Sequence, residues 1–134
     1  RSVPTGTITW TVDSPDALRN GRSPSVEVGS LSWWLTTSCH SKDDKEYLSL
    51  FLTTQKSLSP IWGITVCAQF AIANALNPDK PRKGELIGRE YCTGSTSWGW
   101  TTFMKWDDLT NVAKGFSGAD GKIKIEVKFS MTDF

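Results

Sequence analysis

The stretch Tyr47-Leu48-Ser49-Leu50-Phe51-Leu52-Thr53-Thr54 constrains the fold more than any other part of this 134-residue chain. Side chains on an extended backbone alternate between two faces, so Leu48, Leu50 and Leu52 line one side while Tyr47, Ser49, Phe51 and Thr53 line the other. The leucine face has to be core. That leaves a large ring, Phe51, on the side turned away from it.

The same alternation recurs along the chain. Ile8, Trp10 and Val12 share a face, which predicts a one-sided strand with Trp10 in the core. Val26 and Val28, then Trp33 and Leu35, read as two short strands joined at Gly29-Ser30, where a tight hairpin needs positive φ. Trp33 is assigned to the core and Trp34 to the opposite face. Gly63 to Leu76 reads as a long strand with Ile64, Val66, Ala68, Phe70 and Ile72 in phase, and Glu85 to Cys92 as a weaker one. The last strand, Lys122 to Phe129, sets Ile123, Ile125, Val127 and Phe129 against Lys122, Lys124, Glu126 and Lys128, a charged face that keeps a terminal strand from pairing with other molecules.

Between these segments the sequence is punctuated. Asn20-Gly21 and Ser23-Pro24 read as a turn and loop, Ser38 to Glu46 as a solvated loop, Ser59-Pro60 as the close of another, and Asn77 to Gly84 as a basic loop. Short helices fit Ser14 to Leu18, with Ser14 as cap and Pro15 in the first turn, and the run after Trp106 containing Asp107-Asp108-Leu109. About eight short one-sided strands with turns at this spacing predict an all-β, eight-stranded antiparallel β-sandwich, because two stacked sheets bury that many apolar faces.

Composition excludes several function classes. With 22% charged residues and a net charge of +1, the chain lacks the concentrated basic patch that nucleic acid or an anionic membrane requires. Its longest apolar run, Ile61 to Leu76, is broken by Gln69 and Asn74 and falls short of the roughly 20 residues that span a bilayer. The N-terminus does not read as a signal peptide. Three scattered cysteines, Cys39, Cys67 and Cys92, suit a reducing compartment better than a disulfide framework.

Chemistry is sparse as well. The single histidine, His40, lies beside Cys39 in a polar stretch with neither a nucleophile motif nor a second pair of metal ligands. Gly94 and Gly99 lack the spacing of a phosphate loop, and the acidic pairs Asp43-Asp44 and Asp107-Asp108 read as solubilising surface. No enzyme activity, metal or cofactor is expected. What stands out is Ser97-Trp98-Gly99-Trp100, placed after the turn-forming run Gly94-Ser95-Thr96. The two indoles are two residues apart and share a face, so both pack or both bind.

These pieces in this order, Trp10-Thr11-Val12, Val26-Glu27-Val28-Gly29, Trp33-Trp34-Leu35, Tyr47 to Leu52, Ala68-Gln69-Phe70, Ser97 to Trp100 and Gly115-Phe116 through Val127, resemble the MATH (meprin and TRAF homology) domain over nearly the whole chain. The resemblance implies one domain over residues 1–134, a TRAF-like sandwich that binds short extended segments of partner proteins in a shallow groove. It is nearest to the speckle-type MATH-BTB proteins, which select substrates for cullin-3 ubiquitin ligases. TRAF signalling adaptors and a ubiquitin-specific protease also carry such domains. Cytoplasmic or nuclear localisation follows, as does oligomerisation through segments outside this chain.

Carried over by residue, the speckle-type groove aromatics fall on Phe51, Phe70, Trp98 and Trp100, with Gly99 between the last two. Phe70 also shares a face with Ile64, Val66 and Ile72, so core and groove both remain open for it. A further groove tyrosine is matched nearest by Tyr91, although an ungapped count places Glu90 there. Where the speckle-type pattern has lysine and aspartate before the tryptophan, this chain has Thr96 and Ser97, and Thr36 replaces an arginine after Leu35. Neutral hydroxyls therefore stand in for charged anchors, and a groove here is expected to rely on aromatic burial. Two other classes fit a tryptophan-rich sandwich: a carbohydrate-binding module with a stacking platform, and an oligomerisation domain.

Overall fold

The computed structural model describes residues 3–55 and 62–133; the loop expected to close at Ser59-Pro60 lies outside them. In chain order the elements are β1 (Thr5–Val12), a 3-10 turn (Pro15–Leu18), β2 (Asn20–Arg22), β3 (Val26–Val28), β4 (Leu31–Lys42) and β5 (Lys45–Thr54). They continue with β6 (Gly63–Ile72), β7 (Arg82–Cys92), β8 (Ser97–Lys105), α1 (Trp106–Thr110), a second 3-10 turn (Val112–Lys114) and β9 (Ile123–Asp133).

The strands form two antiparallel sheets. Sheet A runs β1-β9-β6-β7, and sheet B runs β2-β4-β5-β8 with β3 also paired to β4. Leu48, Leu50 and Leu52 are fully buried on the inner face of sheet B, and Ile64, Val66, Ala68, Phe70 and Ile72 answer from sheet A. Burying an aliphatic side chain of this size contributes about 1.5–3 kcal/mol, so alternation in β5 and β6 alone fixes which face of each sheet turns inward. Trp33 anchors the middle: its ring lies 5.2 Å from both Tyr91 and Phe129, and its Nε1 donates to the Val28 carbonyl at 3.1 Å.

The sandwich has nine strands among the described residues where the sequence predicted eight. Asn20–Arg22, expected as a turn, instead pairs with β4 through Asn20↔Ser38 and Arg22↔Thr36. The solvated loop at Ser38–Glu46 is also much shorter than expected. β4 and β5 stay paired out to Lys42↔Lys45, joined by Asp43 and Asp44 with φ of 53° and 64°, the left-handed pair that a two-residue hairpin demands. Polar residues on both faces of a ribbon hide it from any hydrophobicity pattern. The hairpin at Gly29-Ser30 forms as expected, with φ of 62° and 66°.

Three smaller corrections follow from packing. β9 is an interior strand, paired to β1 on one side and β6 on the other, so its charged residues face solvent above the sheet and guard no edge. Trp10 is only half-buried and packs against the core rim. Ser14 precedes the first 3-10 turn without a side-chain capping bond.

Candidate functional site

β7 and β8 are consecutive in sequence yet lie in different sheets, and each ends its sheet among the described residues. They are joined by a tight turn in which Cys92 and Ser95 exchange backbone hydrogen bonds of 3.0 and 2.9 Å. One side of the sandwich is therefore flanked by two strand edges, and the stretch Thr96 to Trp100 runs along it.

The β5–β8 register decides which face each residue occupies. Directly opposed residues of an antiparallel pair share a face, and the pairs here are Leu50↔Trp100, Phe51↔Gly99, Leu52↔Trp98 and Thr53↔Ser97. Trp98 and Trp100 thus lie on the leucine side, turned into the sandwich, whereas Ser97 and Gly99 lie with Phe51 and Thr53 on the outer side. The expected single surface of Phe51, Trp98 and Trp100 does not form; a sheet's thickness separates the phenyl ring from the indoles.

Two more of the expected groove residues are core. Phe70 is 1% exposed and Tyr91 0% exposed, so neither ring offers surface to a ligand. Trp100 lies edge-on to Phe70 with centroids 5.0 Å apart and 5.3 Å from Phe103, seated against Gly84, where any Cβ would stand 2.8 Å from the indole. Tyr91 reaches from sheet A to sheet B, donating its hydroxyl to the Leu52 carbonyl at 2.8 Å. Burial pushes its phenol well above the usual tyrosine range, and the Trp98 backbone N–H pulls more weakly the other way.

Trp98 is half-buried at the mouth of the edge. Its Nε1 donates to the Glu90 carbonyl at 2.7 Å, and the Arg89 guanidinium lies over the ring at 5.2 Å. Such a stack stabilises by about 0.5–1 kcal/mol when exposed. With both indoles turned inward, Trp98 and Trp100 make no flat platform of the kind a carbohydrate module uses. Arg89 was not foreseen, because nothing in Gly88-Arg89-Glu90 marks it out; only the fold brings it over Trp98.

On the outer face a string of hydroxyls leads to the edge. Thr36 Oγ1 lies 3.2 Å from Thr53 Oγ1, which lies 2.8 Å from Ser97 Oγ. Gly99 is required where it stands, since a Cβ there would collide with the Leu50 carbonyl and come within 2.7 Å of the Phe51 Cα. Farther across the sheet Arg22 covers the Trp34 ring at 4.1 Å, so that ring is partly shielded.

The ladder also sets the direction of backbone groups. Thr54 donates its N–H to the Thr96 carbonyl at 2.9 Å, so along β8 the N–H and C=O of Trp98 and Trp100 turn toward β5. Those of Ser97 and Gly99 turn outward, the arrangement onto which a further strand pairs. The eight expected site residues accordingly divide: Thr96, Ser97, Trp98 and Gly99 at the edge, Phe51 beside it on the outer face, Trp100 packed behind it, and Phe70 and Tyr91 in the core.

The MATH domain family model matches residues 7–129. The curated protein "BTB and MATH domain-containing protein 39" of Caenorhabditis elegans is 28% identical over 86 residues, 63% of this chain and 25% of that protein. The chain therefore spans about a quarter of the length of this curated relative. Among solved structures, TRAF5 of Notothenia coriiceps superposes with a TM-score of 0.71 over 96% of this chain and 75% of its own, at 9% identity, which is a likeness of fold. Strand order, burial pattern and a family match over nearly its whole length agree that the chain belongs to the MATH domain family, a family of protein-interaction modules.

Proposed function

We propose that this chain captures extended segments of partner proteins by adding them as a strand to the outer edge of β8. The observation that carries this is the outward-turned backbone of Ser97 and Gly99 on a strand that, among the described residues, ends its sheet. A peptide paired there places alternate side chains on opposite faces. One set dips toward Trp98 and the rim of Trp100; the other lies on the outer face, where Gly99 has no side chain and Phe51 is the nearest ring. Ser97 Oγ supplies a neutral hydrogen bond. A short ligand loses much of its gain to ordering, so affinity in roughly the micromolar range is expected.

By its likeness to MATH-BTB proteins, we assign the chain the role of substrate-recruiting module of a cullin-3 ubiquitin ligase adaptor. The C. elegans relative, named for its BTB and MATH domains, supports that assignment. Linked copies outside this chain would then raise the effective affinity.

Selection of a degenerate peptide library on the folded chain tests the edge directly. The variant Ser97→Pro removes an outward N–H at the first position of β8, where proline is tolerated, and leaves the ladder to β5 intact. Wild type should enrich a short motif, and Ser97→Pro and Trp98→Ala should each weaken it about tenfold or more while retaining the native circular dichroism spectrum. Undiminished binding by folded variants would remove β8 as the site.

A further inference from the structure

The usable edge of β8 ends at a basic pocket. Arg82, the first residue of β7, donates from Nε and Nη2 to the Phe103 carbonyl at 3.1 and 2.8 Å. That carbonyl is occupied, so pairing along β8 stops short of it and a guanidinium marks the end. Just beyond lies an open pocket of about 400 Å³, lined among others by Tyr47, Arg82, Thr102, Lys105 and Lys114. Its one acid, Asp108, is held by Lys114 at 2.7 Å. Among the described residues neither Arg82 nor Lys105 has a carboxylate within ion-pair distance.

This excess of positive charge is local. On the outer face of sheet A, Lys83, Lys124 and Lys128 are interleaved with Glu85 and Glu126, and the Lys128 ammonium lies 3.7 Å from Glu126. Three cations facing a single, already paired carboxylate at the end of a binding edge form a seat for an anion carried by the ligand.

We infer that the segment bound by β8 carries an aspartate or glutamate whose carboxylate seats among Arg82, Lys105 and Lys114; this rests on β8 being the peptide-binding edge. The spacing follows from strand geometry. Gly99 to Thr102, at the pocket mouth, is about 10 Å at roughly 3.3 Å per residue, so the acid stands about three to five residues from the one opposite Gly99. Ligands of this chain are acidic on one flank and neutral or apolar on the other.

The test uses matched libraries of random heptapeptides flanked by Glu-Glu or by Gln-Gln, at either end, selected on the whole chain. Glu-flanked peptides should be favoured roughly fivefold, in one of the two orientations, and the preference should shrink as salt rises from about 0.05 to about 0.3 M. Lys105→Glu and Lys114→Glu should abolish the preference, and Lys124→Glu, on the far sheet, should leave it intact. Three results overturn the acidic seat: equal binding of both flanks, a preference that survives Lys105→Glu, or one that is lost in Arg89→Gln instead. Preference for a phosphoserine flank with none for glutamate overturns the carboxylate. Equal binding that still requires Ser97 and Trp98 removes the acidic seat and keeps the β8 edge. An acid preference sensitive to Lys105→Glu but indifferent to Ser97→Pro keeps the seat and removes strand pairing. Binding of neither library removes both.

Discussion

Tyr91 shows how burial changes what a residue is for. Its sequence position suggested a groove tyrosine, but the ring packs against Trp33 and the hydroxyl ties sheet A to the Leu52 carbonyl of sheet B. Removing that hydroxyl in Tyr91→Phe should cost about 1 kcal/mol at pH 8, where the phenol is neutral in both folded and unfolded chains. The native phenol is held above its usual range by burial, so above about pH 10 the unfolded chain releases a proton that the native chain retains. Wild-type stability then falls by about 1.4 kcal/mol per pH unit more than that of Tyr91→Phe, and the difference between them closes near pH 11. Every ionisable group common to the two proteins drops out of the comparison. Denaturant melts at pH 8, 10 and 11 check this; a constant gap would mean the native phenol ionises as freely as the unfolded one.

At the scale of the element, β8 separates what the sequence makes legible from what it hides. Alternation in β5, β6 and β9 fixed the inner face of each strand, because apolar burial is a property of the strand alone. It placed Phe51 outside and put Trp98 and Trp100 on a common face, as found. Which face that was depended on the partner strand and its phase, a long-range property set beside a register shift between Leu48 and Leu50. No local pattern carries that phase, so the three rings read as one groove are split by the sheet. The same geometry predicts alternating amide protection along β8. Hydrogen exchange at Ser97 and Gly99 should be about a hundredfold faster or more than at Trp98 and Trp100, whose N–H groups face β5. A bound peptide should slow Ser97 and Gly99 selectively. Uniform protection along the free strand would show that its outer edge is already covered.

The whole molecule is closed by links that cross between sheets. Phe70 of sheet A meets Trp100 of sheet B, Trp33 of sheet B meets Phe129 of sheet A, and Tyr91 is bonded to Leu52. β1 and β9, far apart in sequence, pair through Thr5↔Ser130, so sheet A is complete only when both strands are in place. Neither sheet can separate without exposing the inner face of the other, and a single cooperative unfolding transition is expected. Tryptophan fluorescence, to which Trp33 in the core and Trp98 and Trp100 along the β7–β8 side contribute, and far-ultraviolet circular dichroism should give superimposable denaturant curves. Phe70→Ala removes a ring that touches both sheets, at a cost of about 3–5 kcal/mol, and should lower the two midpoints together. If fluorescence instead moved ahead of circular dichroism in the variant, the β7–β8 side would be a separately melting unit. The rigid ladder to β5 that holds Ser97 and Gly99 outward for a partner would then be lost before the fold is.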